Sequence, residues 1–126
     1  MGPPTLVPQE LKVTWPDVEI CHDFDAVIPS QDAIMMLRAQ FERGTGAYIP
    51  GQGEYSRFFQ LNPARMKQAK PDVVVLHPGP INRGLEITSD VADGPNNLIL
   101  DQVTNGVPVR MAVLFLLSNR HGELVP

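Results

Sequence analysis

Two short segments of this chain combine residue types able to hold a small polar substrate. The first is Arg38 and Gln40, placed directly after the apolar run Ala33 to Leu37. In extended backbone, residues two apart point to the same side, so this pair would address one site together. A guanidinium grips a carboxylate through two parallel hydrogen bonds, and an amide can steady it or its partner. The second segment is His77-Pro78-Gly79-Pro80, directly after Val73 to Leu76. Its prolines stiffen the loop and remove N–H donors, while Gly79 lets a ligand approach the backbone. A loop of that composition presents fixed carbonyl oxygens, suited to accept hydrogen bonds from an amide NH2 group.

Each of these residues also has an ordinary structural use. An arginine after a strand is most often solvated or structurally paired, and perturbed charged sites are only statistical signals. A Pro-Gly-Pro turn alone is usually just a turn, and a lone His77 is more often a hydrogen-bonded structural residue than a base. His22, His77 and His121 lack the spacing of a zinc site, so no metal is expected. Asp23 and Asp25 flank Phe24, which fits a solvated turn around one buried ring better than a paired-carboxylate site. The methionines, Met35 and Met36 among them, read as core filler. No glycine-rich phosphate loop with its lysine is present, and no cofactor is expected.

The elements that position these groups can be read coarsely. Thr5 is a candidate cap for a short helix through Leu11, with Pro8 in its first turn. Val18 to Cys21 alternates like a short strand, and Asp25 to Ile28 suits one helical turn ended by Pro29. Ala33 to Leu37 and Val73 to Leu76 read as strands buried on both faces. Between them, residues 44–53 hold four glycines and a proline and suit a mobile loop. Tyr55 to Leu61 is expected to be helical. Asn62-Pro63 is an N-cap followed by proline at the first helical position, opening a helix to about Ala69. Leu98 to Ser118 has the spacing of a long terminal helix, which Pro108 should kink or divide. Strands alternating with helices predict an α/β fold, a small parallel sheet with helices on its faces. In such sheets ligands bind outside the carboxyl ends of the strands, where both candidate loops leave.

Bulk composition narrows the function classes. The chain has 126 residues, which suits one domain, and a net charge of −4, which argues against a general nucleic-acid binder. One cysteine, Cys21, excludes an internal disulfide framework and fits a reducing compartment. Apolar runs such as Met111 to Leu117 are too short to span a bilayer. The first residues lack the pattern of a signal peptide, so a cytoplasmic location is expected.

Four blocks, in order, resemble the aspartate transcarbamylase family. They are Gly2-Pro3-Pro4-Thr5-Leu6; Met36-Leu37-Arg38-Ala39-Gln40 with Glu42-Arg43; His77-Pro78-Gly79-Pro80-Ile81-Asn82-Arg83-Gly84 with Glu86-Ile87; and Asp101 to Val107 with Arg110 to Leu114. The His-Pro-x-Pro form is unlike the His-Cys-Leu-Pro loop typical of ornithine transcarbamylases, which favours aspartate as second substrate.

The resemblance implies that residues 1–126 are the C-terminal aspartate-binding domain, Rossmann-like, three-layered and lacking its first strand. The family joins carbamoyl phosphate and L-aspartate to give N-carbamoyl-L-aspartate and phosphate in de novo pyrimidine biosynthesis. Carried over, Arg38 would bind an aspartate carboxylate and Gln40 would help position it. The carbonyls of Gly79 and Pro80 would hold the carbamoyl NH2 group, and His77 and Pro78 would shape the loop. Residues 44–55 correspond to a segment that moves to close the site. The carbamoyl-phosphate domain, with its Ser-Thr-Arg-Thr motif, has no counterpart here, so the chain is expected to be inactive alone. The full-length family forms catalytic homotrimers. The competing expectation is a non-catalytic interaction module that keeps the domain only for assembly.

Overall fold

The computed structural model describes residues 1–40 and 51–121, with side chains to residue 118. Most of the glycine-rich segment expected to move lies outside the described residues.

The fold is organised by two strands, β1 (Ala33–Met35) and β2 (Val74–Leu76). They pair in parallel, with Ala33 opposite Val74, Ile34 opposite Val75 and Met35 opposite Leu76. The ladder continues past both ends: Val74 N–H donates to the Asp32 carbonyl at 3.0 Å, and Met36 N–H to the Leu76 carbonyl at 2.9 Å. On the other side of β2, Val75 donates to the Asn96 carbonyl and accepts from Leu98 N–H, at 2.9 and 3.0 Å. Among the described residues β1 pairs only with β2.

Expected burial on both faces is corrected for β1. Ile34 and Met36 are buried, but Met35 and Leu37 are 53% and 61% exposed. The period of two sends alternate side chains to opposite faces, and one face alone meets the main core. That core gathers Phe24, Ile28, Leu61, Val75, Ile87 and Ile99. A groove of about 210 Å³ runs by β1, its walls including Gly2, Phe24, Met36 and Phe59.

Several helices follow their local signals. The Asn62 side chain accepts from Arg65 N–H at 3.0 Å and Pro63 fills the first position of α4 (Pro63–Met66), as a cap followed by proline should. This single turn aims Arg65 inward. Its guanidinium is buried and donates to both carboxylate oxygens of Asp25 at 2.7 and 3.0 Å and to the Gln60 carbonyl at 2.6 Å. It also lies 5.1 Å from the centre of the Phe24 ring, a cation–π distance. Asp25 and Phe24 belong to α2 (Phe24–Val27), which Asp23 caps through Ala26 N–H at 3.2 Å. Asp23 and Asp25 thus have separate structural partners.

Other expectations fail for identifiable reasons. The helix expected from Thr5 to Leu11 is replaced by a turn in which the Pro3 carbonyl accepts from Leu6 and Val7 N–H, and α1 spans only Leu11–Thr14. Val18 to Cys21 forms no strand: Val18 N–H closes a turn on Trp15, and no ladder partner lies alongside among the described residues. Pro29 continues the chain into a 3-10 turn, Ile28–Ser30, because the first positions of such a turn need no N–H. α3 spans Gln52–Phe59, α5 Ser89–Ala92 and α6 Ile99–His121. Pro108 does not divide α6. It costs the bond to the Thr104 carbonyl, but both residues are exposed, so water can take that acceptor. No helix among the described residues is long and apolar enough to cross a membrane.

Candidate functional site

The two candidate loops leave neighbouring parallel strands at the same edge of the sheet. Arg38 to Gln40 follow β1, and His77 to Pro80 follow β2. Within the first, Ala39 is buried against Tyr55 and Phe59, while Arg38 is half-buried and Gln40 exposed. The middle residue anchors the segment, and the two polar residues flank the anchor.

The second loop is built around His77, whose side chain is wholly buried. Its Nδ1 accepts from Gly79 N–H at 2.8 Å. That nitrogen therefore carries no proton, and assigning the tautomer from this network puts the ring hydrogen on Nε2. Nε2 faces Oε1 of Glu86 at 3.3 Å, and Glu86 is also wholly buried. The main chain of His77 is held too, its N–H donating to Oε1 of Gln102 on α6 at 3.0 Å.

The consequence for residues 78–80 is chemical. Pro78 and Pro80 have no N–H, and that of Gly79 is taken by His77. All three residues are exposed. Gly79 holds φ at +69°, the left-handed region that side chains with a Cβ rarely adopt. Over these residues the main chain therefore offers carbonyl oxygens and no free donor.

Three residues that no spacing argument singled out complete the arrangement: Glu86, Asn82 and Gln102. Glu86 Oε1 accepts from Asn82 N–H at 2.6 Å as well as facing His77. The amide of Asn82 then reaches across to the first loop, donating from Nδ2 to the Ala39 carbonyl at 3.1 Å. Glu86 also acts on Tyr55, whose phenol is pushed above its ordinary range, first by burial and then by the negative charge of Glu86. A carboxylate wholly out of water is costly unless it is hydrogen-bonded. Here it gathers one N–H and one imidazole, while its Oε2 has no hydrogen-bond partner among the described residues. Neither Glu86 nor Asn82 carried a pattern that predicts such burial or reach, although both stand in the block that carries the resemblance.

Comparison with known proteins bears on the same region. Residues 8–117 match the family model described as aspartate/ornithine carbamoyltransferase, Asp/Orn binding domain. The aspartate carbamoyltransferase catalytic subunit of Salinispora tropica is 49% identical over 118 residues, 93% of this chain and 38% of that one. That of a Nocardioides species is 53% identical over 117 residues, 93% of this chain and 36% of the relative. Among solved structures, aspartate transcarbamoylase from Trypanosoma cruzi in complex with carbamoyl phosphate superposes with a TM-score of 0.65. It is 28% identical, with 86% of this chain and 34% of that chain covered. Ornithine carbamoyltransferase from Pyrococcus furiosus gives 0.69 at 28% identity, with 85% and 37% covered. The chain spans under two-fifths of the length of the curated relatives described, 38% and 36%. With the parallel sheet and the match over residues 8–117, this chain belongs to the aspartate/ornithine carbamoyltransferase family, in the part that forms its Asp/Orn binding domain.

Proposed function

We propose that residues 1–126 act as the aspartate-binding domain of an aspartate carbamoyltransferase. The complete enzyme would condense carbamoyl phosphate with L-aspartate to N-carbamoyl-L-aspartate and phosphate, in the cytoplasm, as a step of de novo pyrimidine biosynthesis. The observation that carries this is the pairing of an acceptor-only loop, residues 78–80, with a guanidinium and an amide on the neighbouring strand end. Carbamoyl phosphate has an NH2 group to offer the first, and aspartate has carboxylates to offer the second. The names of the relatives support aspartate over ornithine.

Under this reading Arg38 grips an aspartate carboxylate and Gln40 keeps it oriented. The Gly79 and Pro80 carbonyls accept from the carbamoyl NH2 group, while His77 and Pro78 set the shape of their loop. The aspartate nitrogen forms a bond to the carbamoyl carbon, the bond from that carbon to the phosphate oxygen breaks, and phosphate leaves with the electron pair. The amino proton passes to the departing phosphate or to solvent. No residue of this chain is assigned as the base, because His77 is enclosed and its Nδ1 is occupied. The contribution is orientation of two reactants and charge stabilisation, with no cofactor or metal.

Groups for the phosphate would come from a carbamoyl-phosphate domain, so the chain alone is expected to be inactive. A seat for that domain is available on α6. Leu100, Met111, Leu114 and Phe115 are each between 64% and 76% exposed, a run of apolar surface beyond what scattered single residues explain. In the full-length protein the assembly would be a homotrimer. The same apolar run would also suit a non-catalytic interaction module, so the two readings need a discriminating test.

That test is carbamoyl-aspartate formation by this chain alone and mixed with a carbamoyl-phosphate-binding domain of the family. Activity in the mixture only, abolished by Arg38→Ala while association persists, is the expected result. A confirmed complex without activity would overturn the enzymatic reading in favour of the interaction module.

A further inference from the structure

We propose that Asn82 is a positioning residue that fixes the Arg38–Gln40 segment relative to the acceptor loop. The inference rests on the assignment of Arg38 and Gln40 to aspartate. Its physical basis is the division of labour within one residue. Asn82 N–H donates to Glu86 Oε1 at 2.6 Å, which seats it on the buried His77–Glu86 pair. Its side-chain Nδ2 donates to the Ala39 carbonyl at 3.1 Å, across 43 positions of sequence. Ala39 is the residue between Arg38 and Gln40. The bond therefore holds the main chain between the two polar residues, and it holds it from the loop whose carbonyls are assigned to the other substrate.

The Met36–Leu76 hydrogen bond ends the ladder two residues before Arg38. Beyond it, the described hydrogen bond that ties the main chain of residues 37–40 to the second loop comes from Asn82. The packing of Ala39 against Tyr55 and Phe59 fixes depth, but apolar contact is non-directional. A hydrogen bond adds direction. Removing Nδ2 should thus blur the placement of Arg38 and Gln40 while leaving the His77 loop as it is. That loop keeps its own bonds to Gln102, Glu86 and the Gly79 amide.

Asn82→Ala and Asn82→Asp both remove the donor and keep the main-chain bond to Glu86; Asn82→Gln keeps an amide. In this chain alone, backbone order parameters from 15N relaxation should fall at residues 38–40 in the Ala and Asp variants. Those of His77 and Gly79 should not change, and Asn82→Gln should recover part of the loss. In the two-part assembly, the aspartate KM should rise by about two- to tenfold, the range one ordinary hydrogen bond supports, with kcat and the carbamoyl phosphate KM unchanged. Unchanged order parameters at residues 38–40, or an equal fall at His77 and Gly79, would overturn the proposal. So would equal rises in both KM values. An inactive wild-type assembly would count against the enzymatic reading, while the relaxation arm would still decide the tie.

Discussion

His77 with Glu86, and the outer surface of α6, invert the usual segregation of residue types in opposite directions. Around His77, an imidazole and a carboxylate are completely removed from water. Along α6, leucines, valines, a methionine and a phenylalanine stand in it. The buried pair is furnished from within: Gly79 and Asn82 N–H donate to the imidazole and the carboxylate, and Gln102 holds the His77 main chain. Among the described residues, α6 meets the rest of the domain near its start, through Ile99 and Gln102. One region draws its hydrogen-bond partners from within the domain, and the other presents apolar side chains to solvent.

The sharpest way to break this contrast is Glu86→Ala. It leaves the Asn82 N–H and the His77 Nε2–H facing a dry void, and should cost about 3 kcal/mol of stability by urea denaturation. A loss below about 1 kcal/mol would mean that water reaches the pair and that the region is not self-contained.

A second test sharpens the electrostatics of the same region. Tyr55 is raised by burial and by the Glu86 charge, so its neutral form is favoured in the fold. The stability this lends is fully present below the ordinary tyrosine value of about 10 and is lost as pH climbs through the raised one. Glu86→Gln should move the Tyr55 titration part of the way down, since the charge goes and the burial stays. Ultraviolet titration in a Tyr48→Phe background, which leaves Tyr55 as the sole tyrosine, reads this directly.

Asp25 gives the acid counterpart. The Arg65 guanidinium, chiefly by its hydrogen bonds, holds the Asp25 carboxyl below its ordinary range; burial opposes this, and the Arg65 charge adds a smaller lowering. A lowered carboxylate contributes stability above the unfolded value of about 3.9 and loses it as pH falls through the folded one. Asp25→Asn should therefore flatten the acid limb below about pH 4. Its effect at neutral pH should stay within about 1 kcal/mol, because the Asp25 side chain is 52% exposed and solvent screens the pair. The smallest effect on stability is expected from Leu114→Glu on α6, within about 0.5 kcal/mol for this chain. The same substitution should weaken association with a carbamoyl-phosphate domain, measured by sedimentation. Strong destabilisation of the lone chain would show that the helix is already covered.

What the sequence made legible follows from the range of the forces involved. β1, β2 and the start of α4 were readable because short apolar runs and an Asn-Pro cap act over a few residues. The Val18 to Cys21 segment was misread because a strand needs a neighbour, and alternation cannot report one. Two-face burial of β1 was misread for the same reason: an apolar run does not say which side will be covered. The loops after β1 and β2 were each visible, but their adjacency depends on the pairing of Met35 with Leu76. The Glu86 carboxylate was the least legible group. Glutamate is almost never fully buried unless paired, and its partners are fixed by the path of the loop, which no periodicity encodes. The Asn82 bond to Ala39 is long-range by nature and had no local signal.

The Pro78–Gly79–Pro80 loop has a further consequence that concerns refusal. A stretch of backbone able only to accept hydrogen bonds turns its negative dipole ends toward whatever approaches. Carboxylate and phosphate oxygens would meet those ends as like against like and would gain nothing in return for their lost hydration. A molecule with an amide at one end and a phosphate at the other can settle against such a loop in one direction and is turned away in the reverse. Under the proposed function the loop would act as a polarity gauge, sorting orientations of a ligand through the one it declines as much as through the one it admits.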